Sequence, residues 1–381
     1  MIISRIILKN WKNFKSVDVS LKERTFMVGP NASGKSNFLD VFRFLRDIAK
    51  PGGGLQQAII DRGGISKLRC LAARKDPEIA IGIHISEYGT SEILWKYEIG
   101  IKQKSSGHHK PYLSYERVCK GDQLIISRPD EEDRMDDERL TETFLEQINA
   151  NKDFRSIARY LEKVLYLHLV PQLLKYPHAF SGPDLAGDPF GGGFLEKLSK
   201  TQEKTRSARL RKIDAALRVA VPQLTELHYV EENGKPHLEA RYEHWRPDAG
   251  KQKEEQFSDG TLRMIGMLWV LQEGEGLLLL EEPELSLNAA IIAKLPAIIY
   301  KIQKSKKRQV IMTSHSADLL QDKGVSPHEV LILEPSVEGT KAMAAADNKE
   351  IRALLKSGMT PGEAILPKTN PSNLNQLVFE F

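Results

Sequence analysis

Two cysteines, Cys70 and Cys119, are all that the 381 residues contain. They are too few for a disulfide framework in a chain of this length and cannot build a metal cage alone. A disulfide-stapled fold and a cysteine metal centre are therefore excluded, and a reducing, cytoplasmic setting is expected. Long apolar runs are missing as well: Leu277 to Leu280 falls far short of the ~20 residues a membrane helix needs. The opening MIISRIILKNWKNF is interrupted by Arg5, Lys9, Lys12 and Lys15 and is followed by no small-residue cleavage site, so it reads as a strand, not a signal peptide. No membrane partner is expected. Nor does one sign of charge dominate, since 55 basic residues face 51 acidic ones for a formal +4. That balance demands no polyanion, and any nucleic-acid site must be a local patch. Sustained heptads and internal repeats are absent, which leaves no place for long coiled-coil arms. What is present is ordinary for a soluble protein, 41% hydrophobic and 28% charged, and long enough for two or three structural units.

Periodicity divides the chain. Residues 1 to about 30 read as three strands, IISRIIL, VDVSL and RTFMV, the last ending at Gly29-Pro30. A helix follows, with Phe38, Val41, Phe42 and Leu45 on one side and Pro51 with Gly52 to Gly54 at its end. From Glu78 to about Ser127 the period becomes two, as in Ile79, Ile81, Ile83 and Ile85, which predicts antiparallel strands. The acidic run at 130–139 marks a boundary, after which a mostly helical stretch is interrupted by the glycine-rich loop 181–193 and resumes from about Phe194 to Val219. Past Pro222 come strands (LTELHYV, HLEARYEH), then helix alternating with strand from Thr261 to Leu333, the pattern of a parallel α/β layer. The division expected is 1–127, a mainly helical insertion 128–224, and 225–381.

Four segments carry chemistry. GPNASGKS, Gly29 to Ser36, fits GxxxxGK[ST] between a strand and a helix. Its backbone N–H groups and the helix N-terminus face phosphate oxygens, Lys35 reaches the β and γ phosphates, and Ser36 ligates Mg²⁺. In GLLLLEEPE, Gly276 to Glu284, four leucines of a buried strand deliver Glu281 and Glu282 at its carboxyl end. Neighbouring strand side chains point opposite ways, which suits Glu281 to the Mg²⁺ water shell and Glu282 to the attacking water. QVIMTSHS ends a short strand with His315, placed to sense a γ-phosphate. FSDGTLRMIG, 257–266, is a small-residue turn feeding a helix from near Thr261, where Ser258 and the backbone of Gly260 can hold a phosphate.

In this order the four segments resemble the ABC-type ATPases, and within them the RecF, SMC and OLD-like predicted ATPases, which share the opening KNWKNFKS, the asparagine of GPNASGKS, SDGT and EEPE. The resemblance covers about 1–125 and 225–335. It implies an α/β P-loop NTPase fold of ABC type, a mixed sheet with an antiparallel β-subdomain and an inserted helical subdomain. It makes Walker A of Gly29, Pro30, Asn31, Ala32, Ser33, Gly34, Lys35 and Ser36, with Asn37 following; the signature of Ser258, Asp259, Gly260 and Thr261; Walker B of Leu277 to Glu282; and a D-loop of Ser286-Leu287-Asn288. Glu281 stands where most of these ATPases have aspartate, and Asn288 where they have aspartate or histidine. Gln56 and Gln57 are both candidates for the Q-loop glutamine, and Lys12, Asn13, Phe14 and Lys15 for the adenosine wall.

The resemblance further implies hydrolysis of ATP in a head-to-head homodimer that sandwiches two Mg-ATP, each held by Walker A of one subunit and Ser258 and Gly260 of the other. About 65 residues after His315 leave no room for the Toprim nuclease fused in OLD-like relatives, so an effector such as a nuclease would be a separate partner, in DNA repair or antiphage defence. Basic runs at 204–212 (KTRSARLRK) and 301–308 (KIQKSKKR) are candidates for contact with double-stranded DNA. Two other readings stand beside this one, an ATP-dependent scaffold with little hydrolysis and a transporter's nucleotide-binding subunit, the latter disfavoured by SDGT.

Overall fold

A computed structural model describes residues 1–104, 110–176, 188–243 and 250–369. The chain opens with β1 (Ile2–Trp11), β2 (Phe14–Ser20), β3 (Arg24–Val28), α1 (Lys35–Ala49), α2 (Leu55–Ile60) and α3 (Ile65–Leu68). Then come β4 (Ile79–Ser86), β5 (Ile93–Gln103), β6 (Pro111–Lys120), β7 (Gln123–Arg128), α4 (Glu131–Met135), α5 (Arg155–Glu162), β8 (Leu165–Leu167), α6 (Pro171–Lys175), α7 (Phe194–Lys200) and α8 (Glu203–Ala220). The rest runs β9 (Leu224–Glu232), β10 (Lys235–Tyr242), β11 (Lys251–Lys253), α9 (Asp259–Gln272), β12 (Leu278–Glu281), α10 (Ala289–Ile292), α11 (Leu295–Lys306), β13 (Val310–Ser314), β14 (Val330–Glu334), β15 (Lys341–Ala344), α12 (Lys349–Lys356) and α13 (Pro361–Ile365). No helix among the described residues is long and apolar enough to cross a membrane. Residues 181–187 of the expected glycine-rich loop lie outside the described residues.

Contacts gather the chain into two units, one of residues 1–164, 275–279 and 307 onward, the other of 165–274 and 280–306. The first contains an antiparallel sheet of order β2-β1-β4-β5-β6-β7. Its alternating isoleucines, Ile79, Ile81, Ile83 and Ile85, are all buried as their spacing predicts. The same unit contains a mixed layer in which β3 runs parallel to both β13 and β14, while β15 closes the edge antiparallel to β14. Leu278 starts β12 beside β13, its N–H donating to Gln309 O at 2.9 Å. All five residues of β3 are buried, the mark of a central parallel strand. After β3, α1 buries Phe38, Val41, Phe42 and Leu45, and Phe14 of β2 meets Phe38 edge to face at 5.9 Å.

The expected break at 127/128 is not a unit boundary. Arg128, its side chain wholly buried, bonds Glu116 on β6 and Asp133, and also donates to the carbonyls of Arg139 and Glu142. Residues 128–146 are thereby riveted to the antiparallel sheet, and α5 packs on α1. In the same region Glu146 accepts N–H bonds from Leu55 (2.6 Å) and Thr143 (2.9 Å), yet burial raises its carboxyl to about 7. The folded state then holds a proton that the unfolded chain releases near 4.3, so folding stability falls as pH rises from there through about 7. Replacing Glu146 with glutamine should flatten that slope, and urea unfolding at pH 5, 6.5 and 8 would show whether the wild type alone loses stability across the window.

The second unit contains the sheet β11-β10-β9, with α8 packed on β9, and the almost fully buried α9. The expected helix from Phe194 to Val219 is two helices. Thr201 turns extended after α7, and Arg206 of α8 reaches back across the break, its Nη1 donating to the carbonyls of Leu198 and Ser199 at 3.2 Å. Strand β8 lies next to β12, whose last residues Leu280 and Glu281 belong to this unit.

Candidate functional site

The Walker A segment leaves β3 at Val28 and curls through left-handed backbone at Ala32 (φ 62°) and Gly34 (φ 94°) before α1 begins at Lys35. Gly34 is required twice over. Besides its φ, a Cβ there would lie 2.1 Å from Asn13 Nδ2. Lys35 is 7% exposed, and its ammonium is held inside the loop by the carbonyls of Gly29 (3.0 Å) and Pro30 (3.1 Å). The first turn of α1 has no capping side chain and no acidic residue, so its amide donors and positive dipole end are kept for an anion. Within the loop the hydroxyl of Ser33 is buried without a hydrogen-bond partner, while Ser36 is exposed in the first helical turn. A triphosphate suits this cradle.

The hairpin turn after β1 braces the loop. Asn13 Nδ2 donates to Ser33 O (3.0 Å) and Thr340 Oγ1 (2.7 Å), its Oδ1 accepts from Asn37 Nδ2 (2.9 Å), and the Trp11 indole donates to Asn37 O (2.9 Å). This corrects the expected adenosine wall. Phe14 is fully buried against Phe38, and Lys12 is committed to Asp40 at 2.6 Å, so both hold α1 in place. Lys15 pairs with Glu338 at 2.7 Å. Nothing in the one-dimensional pattern marked Asn13 as a brace, because its partners lie about 20 and 327 residues away.

Parallel pairing aligns the third segment with the first. Ser314 on β13 stands opposite Val28 on β3, so His315, which is exposed, follows its strand level with Gly29. Gln56 and Gln57 lie on α2, where Gln56 donates to the carbonyls of Pro111 and Thr141 and Gln57 to Asp61 Oδ1. Both candidate Q-loop amides are thus engaged within the chain.

In the second unit, α9 starts at Asp259, two residues earlier than expected, because Ser258 is its cap: Oγ accepts the Thr261 N–H at 3.2 Å and shares a 2.8 Å hydrogen bond with the Thr261 hydroxyl. Thr261 is buried and steadies Ser258 from within, while Ser258 itself is exposed. Gly260 packs on the D-loop so closely that a Cβ would lie 2.4 Å from Ser286 O. Glu281 is the last residue of β12; Glu282 turns sharply with φ 46°, and Ser286 with φ 64°. Strand alternation therefore ends at Glu281. Left-handed backbone at two non-glycine residues costs free energy and is concentrated where a loop's shape serves a site. Asn288 Oδ1 caps α10 through the Ala290 N–H at 2.9 Å.

Of the residues expected to hold a metal, Ser36 in the first unit and Glu281 in the second each carry oxygen donors, the chemistry a hard cation takes, and no group of three or more His, Cys, Asp or Glu side chains gathers as a metal cage among the described residues. Mg²⁺ typically takes few protein oxygens and completes its shell with water and substrate phosphate. The basic runs divide by burial: Arg206 lies over Tyr229 and Arg209 over Trp269, whereas Lys204, Arg211 and Lys212 are exposed; on the second run Lys301, Lys304, Lys306 and Lys307 are exposed and Arg308 is buried.

Residues 24–321 match the model of the family AAA_21, described as "AAA domain, putative AbiEii toxin, Type IV TA system". The chain is similar to the solved SMC head bound to the C-terminal winged-helix domain of ScpA, at 15% identity and TM-score 0.54, covering 90% of this chain and 98% of that one. It is similar too to the SMC head with an extended coiled coil bound to the C-terminal domain of ScpA from Pyrococcus furiosus, at 12% identity and TM-score 0.50, covering 93% and 99%. No curated protein matches. At these identities the structures speak for the fold alone, and it is the fold that the parallel β13-β3-β14 core and antiparallel subdomain already displayed. With the family model spanning most of its length, the chain belongs to the AAA_21 family, and its fold is that of the SMC head domains.

Proposed function

We propose that this protein binds and hydrolyses Mg-ATP, closes into a head-to-head homodimer around two nucleotides, and acts in the cytoplasm as a switch on a separate effector such as a nuclease. The observation that carries it is the Walker A cradle: an uncapped helix start, a lysine drawn into the loop, and a parallel partner strand that ends level with it at His315. Gly29 to Ser36, with Asn37 bracing, hold the phosphates; Lys35 meets the β and γ oxygens and stabilises charge developing there. Ser36 and Glu281 would hold Mg²⁺, which supplies Lewis-acid neutralisation of the phosphate oxygens when bound. Glu282 takes the proton of the attacking water and His315 bonds the γ-phosphate. Ser258, Gly260 and Thr261 of the second subunit complete the site, so their contacts to the γ-phosphate exist only in the closed dimer, which is what a ligand-driven population shift requires. The exposed lysines of α8 and α11 suit duplex phosphates, which supports a role beside DNA, in repair or phage defence.

Because Ser258 acts on the nucleotide of the other subunit, Ser258→Arg should leave nucleotide binding within about threefold of wild type while abolishing association. Light scattering with a slowly hydrolysed ATP analogue decides this. The wild-type mass doubles and the variant's does not; a wild-type mass unmoved at saturating analogue would sink the sandwich.

A further inference from the structure

The stretch Leu165–Lys175 belongs to none of the motifs, yet it grips two of them. At its start, on β8, the hydroxyl of Tyr166 donates to Oε2 of Glu281, and the ring is 8% exposed. At its end, on α6, Gln172 Nε2 donates to Asp259 Oδ2 at 2.9 Å and Lys175 Nζ to Oδ1 at 2.8 Å, so both carboxylate oxygens of the signature aspartate are held. Between these ends Leu169 and Leu174 are buried against α9 at Gly266, where a Cβ would stand 2.9 Å from Leu169 Cδ1. A larger residue at Gly266 would push the Leu169 side chain aside. The chemistry gives each grip a purpose. Glutamate in the Walker B position has one more rotatable bond than aspartate, and the phenol removes that freedom. Asp259 sits in the first turn of α9, so whatever holds its carboxylate also sets the orientation of the turn that bears Ser258 and Gly260.

We propose that Leu165–Lys175 is a strap that makes the placement of Glu281 and of the signature turn interdependent, with Tyr166 and Lys175 as positioning residues. The proposal rests on the ATPase reading for its purpose, although the mechanical link itself does not need nucleotide. A strap anchored at both ends and packed in the middle transmits slack: freeing one end loosens the other. This gives the inserted segment a task, that of matching the metal-side carboxylate of a subunit to the signature surface the same subunit offers its partner.

Hydrogen exchange on the full nucleotide-free chain tests the link directly. Tyr166→Phe, which removes only a hydroxyl, should raise exchange of the Thr261 to Arg263 amides by about three- to tenfold, and Lys175→Met should raise it by as much at Glu284 to Leu287. Lys175→Arg should restore protection. In the nucleotide-bound protein, Tyr166→Phe should raise the free Mg²⁺ needed for half-maximal turnover by a similar factor and weaken analogue-driven doubling as well. Faster exchange confined to the substituted end overturns the strap, and so does unchanged exchange in both variants. A wild type that fails to hydrolyse ATP rejects the proposed function instead, and leaves the strap to be decided by the exchange data.

Discussion

Replacing Glu282 with glutamine is expected to lower kcat for ATP hydrolysis by 10²- to 10⁴-fold, the usual contribution of a general base, or about 2.7–5.5 kcal/mol of transition-state free energy. Glutamine keeps the side chain's length and removes the proton acceptor. The left-handed turn at Glu282 is held by the Leu285 N–H on its carbonyl at 3.2 Å and by the contact of Gly260 with Ser286, neither of which involves the carboxylate. Nucleotide binding and analogue-driven doubling should therefore survive, so the loss falls on kcat and not on association. Single-turnover phosphate release, with light scattering on the same sample, separates the two. A fall of less than tenfold would take the base role from Glu282, and His315, level with Gly29, would be next to test.

Much of the nucleotide cradle was legible because its information is local. A strand ending in Gly-Pro, a GxxxxGK[ST] turn and an amphipathic helix are contiguous, and the structure reproduces them as β3, loop and α1. The alternation at Ile79–Ile85 likewise gave the antiparallel sheet, since period two with one buried face admits one register. What escaped were contacts that no spacing encodes. Asn13 reads as one polar residue in a turn until Thr340 arrives beside it from the far end of the chain. Tyr166 falls in a stretch whose pattern reads as helical, and its role emerges only when β8 is laid next to β12. Phe14 was misplaced in the nucleotide wall because family likeness located the hairpin turn but not which of its side chains the core had claimed. The boundary at 127 failed for a related reason: acidic residues 130–139 look like a solvated edge, whereas Asp133 is buried as the counter-ion of Arg128.

That counter-ion arrangement carries the largest expected effect on stability. Arg128→Met should cost about 3–5 kcal/mol at pH 8, because methionine fills the space but leaves Glu116 buried with no opposite charge. Arg128 has both carboxylates within 3.0 Å, and together with Asp133's own bonds to Asp130 N–H and Arg139 it holds the Asp133 carboxyl down to about 2. Glu116 is different: burial already raises its carboxyl above the ordinary value even with Arg128 present, so without the guanidinium it rises further. The folded variant then keeps a proton that the unfolded chain releases above about 4.3, and its stability falls with rising pH from there up to the raised value. Urea unfolding should accordingly show a smaller penalty at pH 5 than at pH 8, with Glu116→Gln in the Arg128→Met background recovering a substantial part of it at pH 8. An equal loss at both pH values, unrelieved by Glu116→Gln, would place the cost in packing instead, since the guanidinium also lies 3.8 Å over the Phe144 ring.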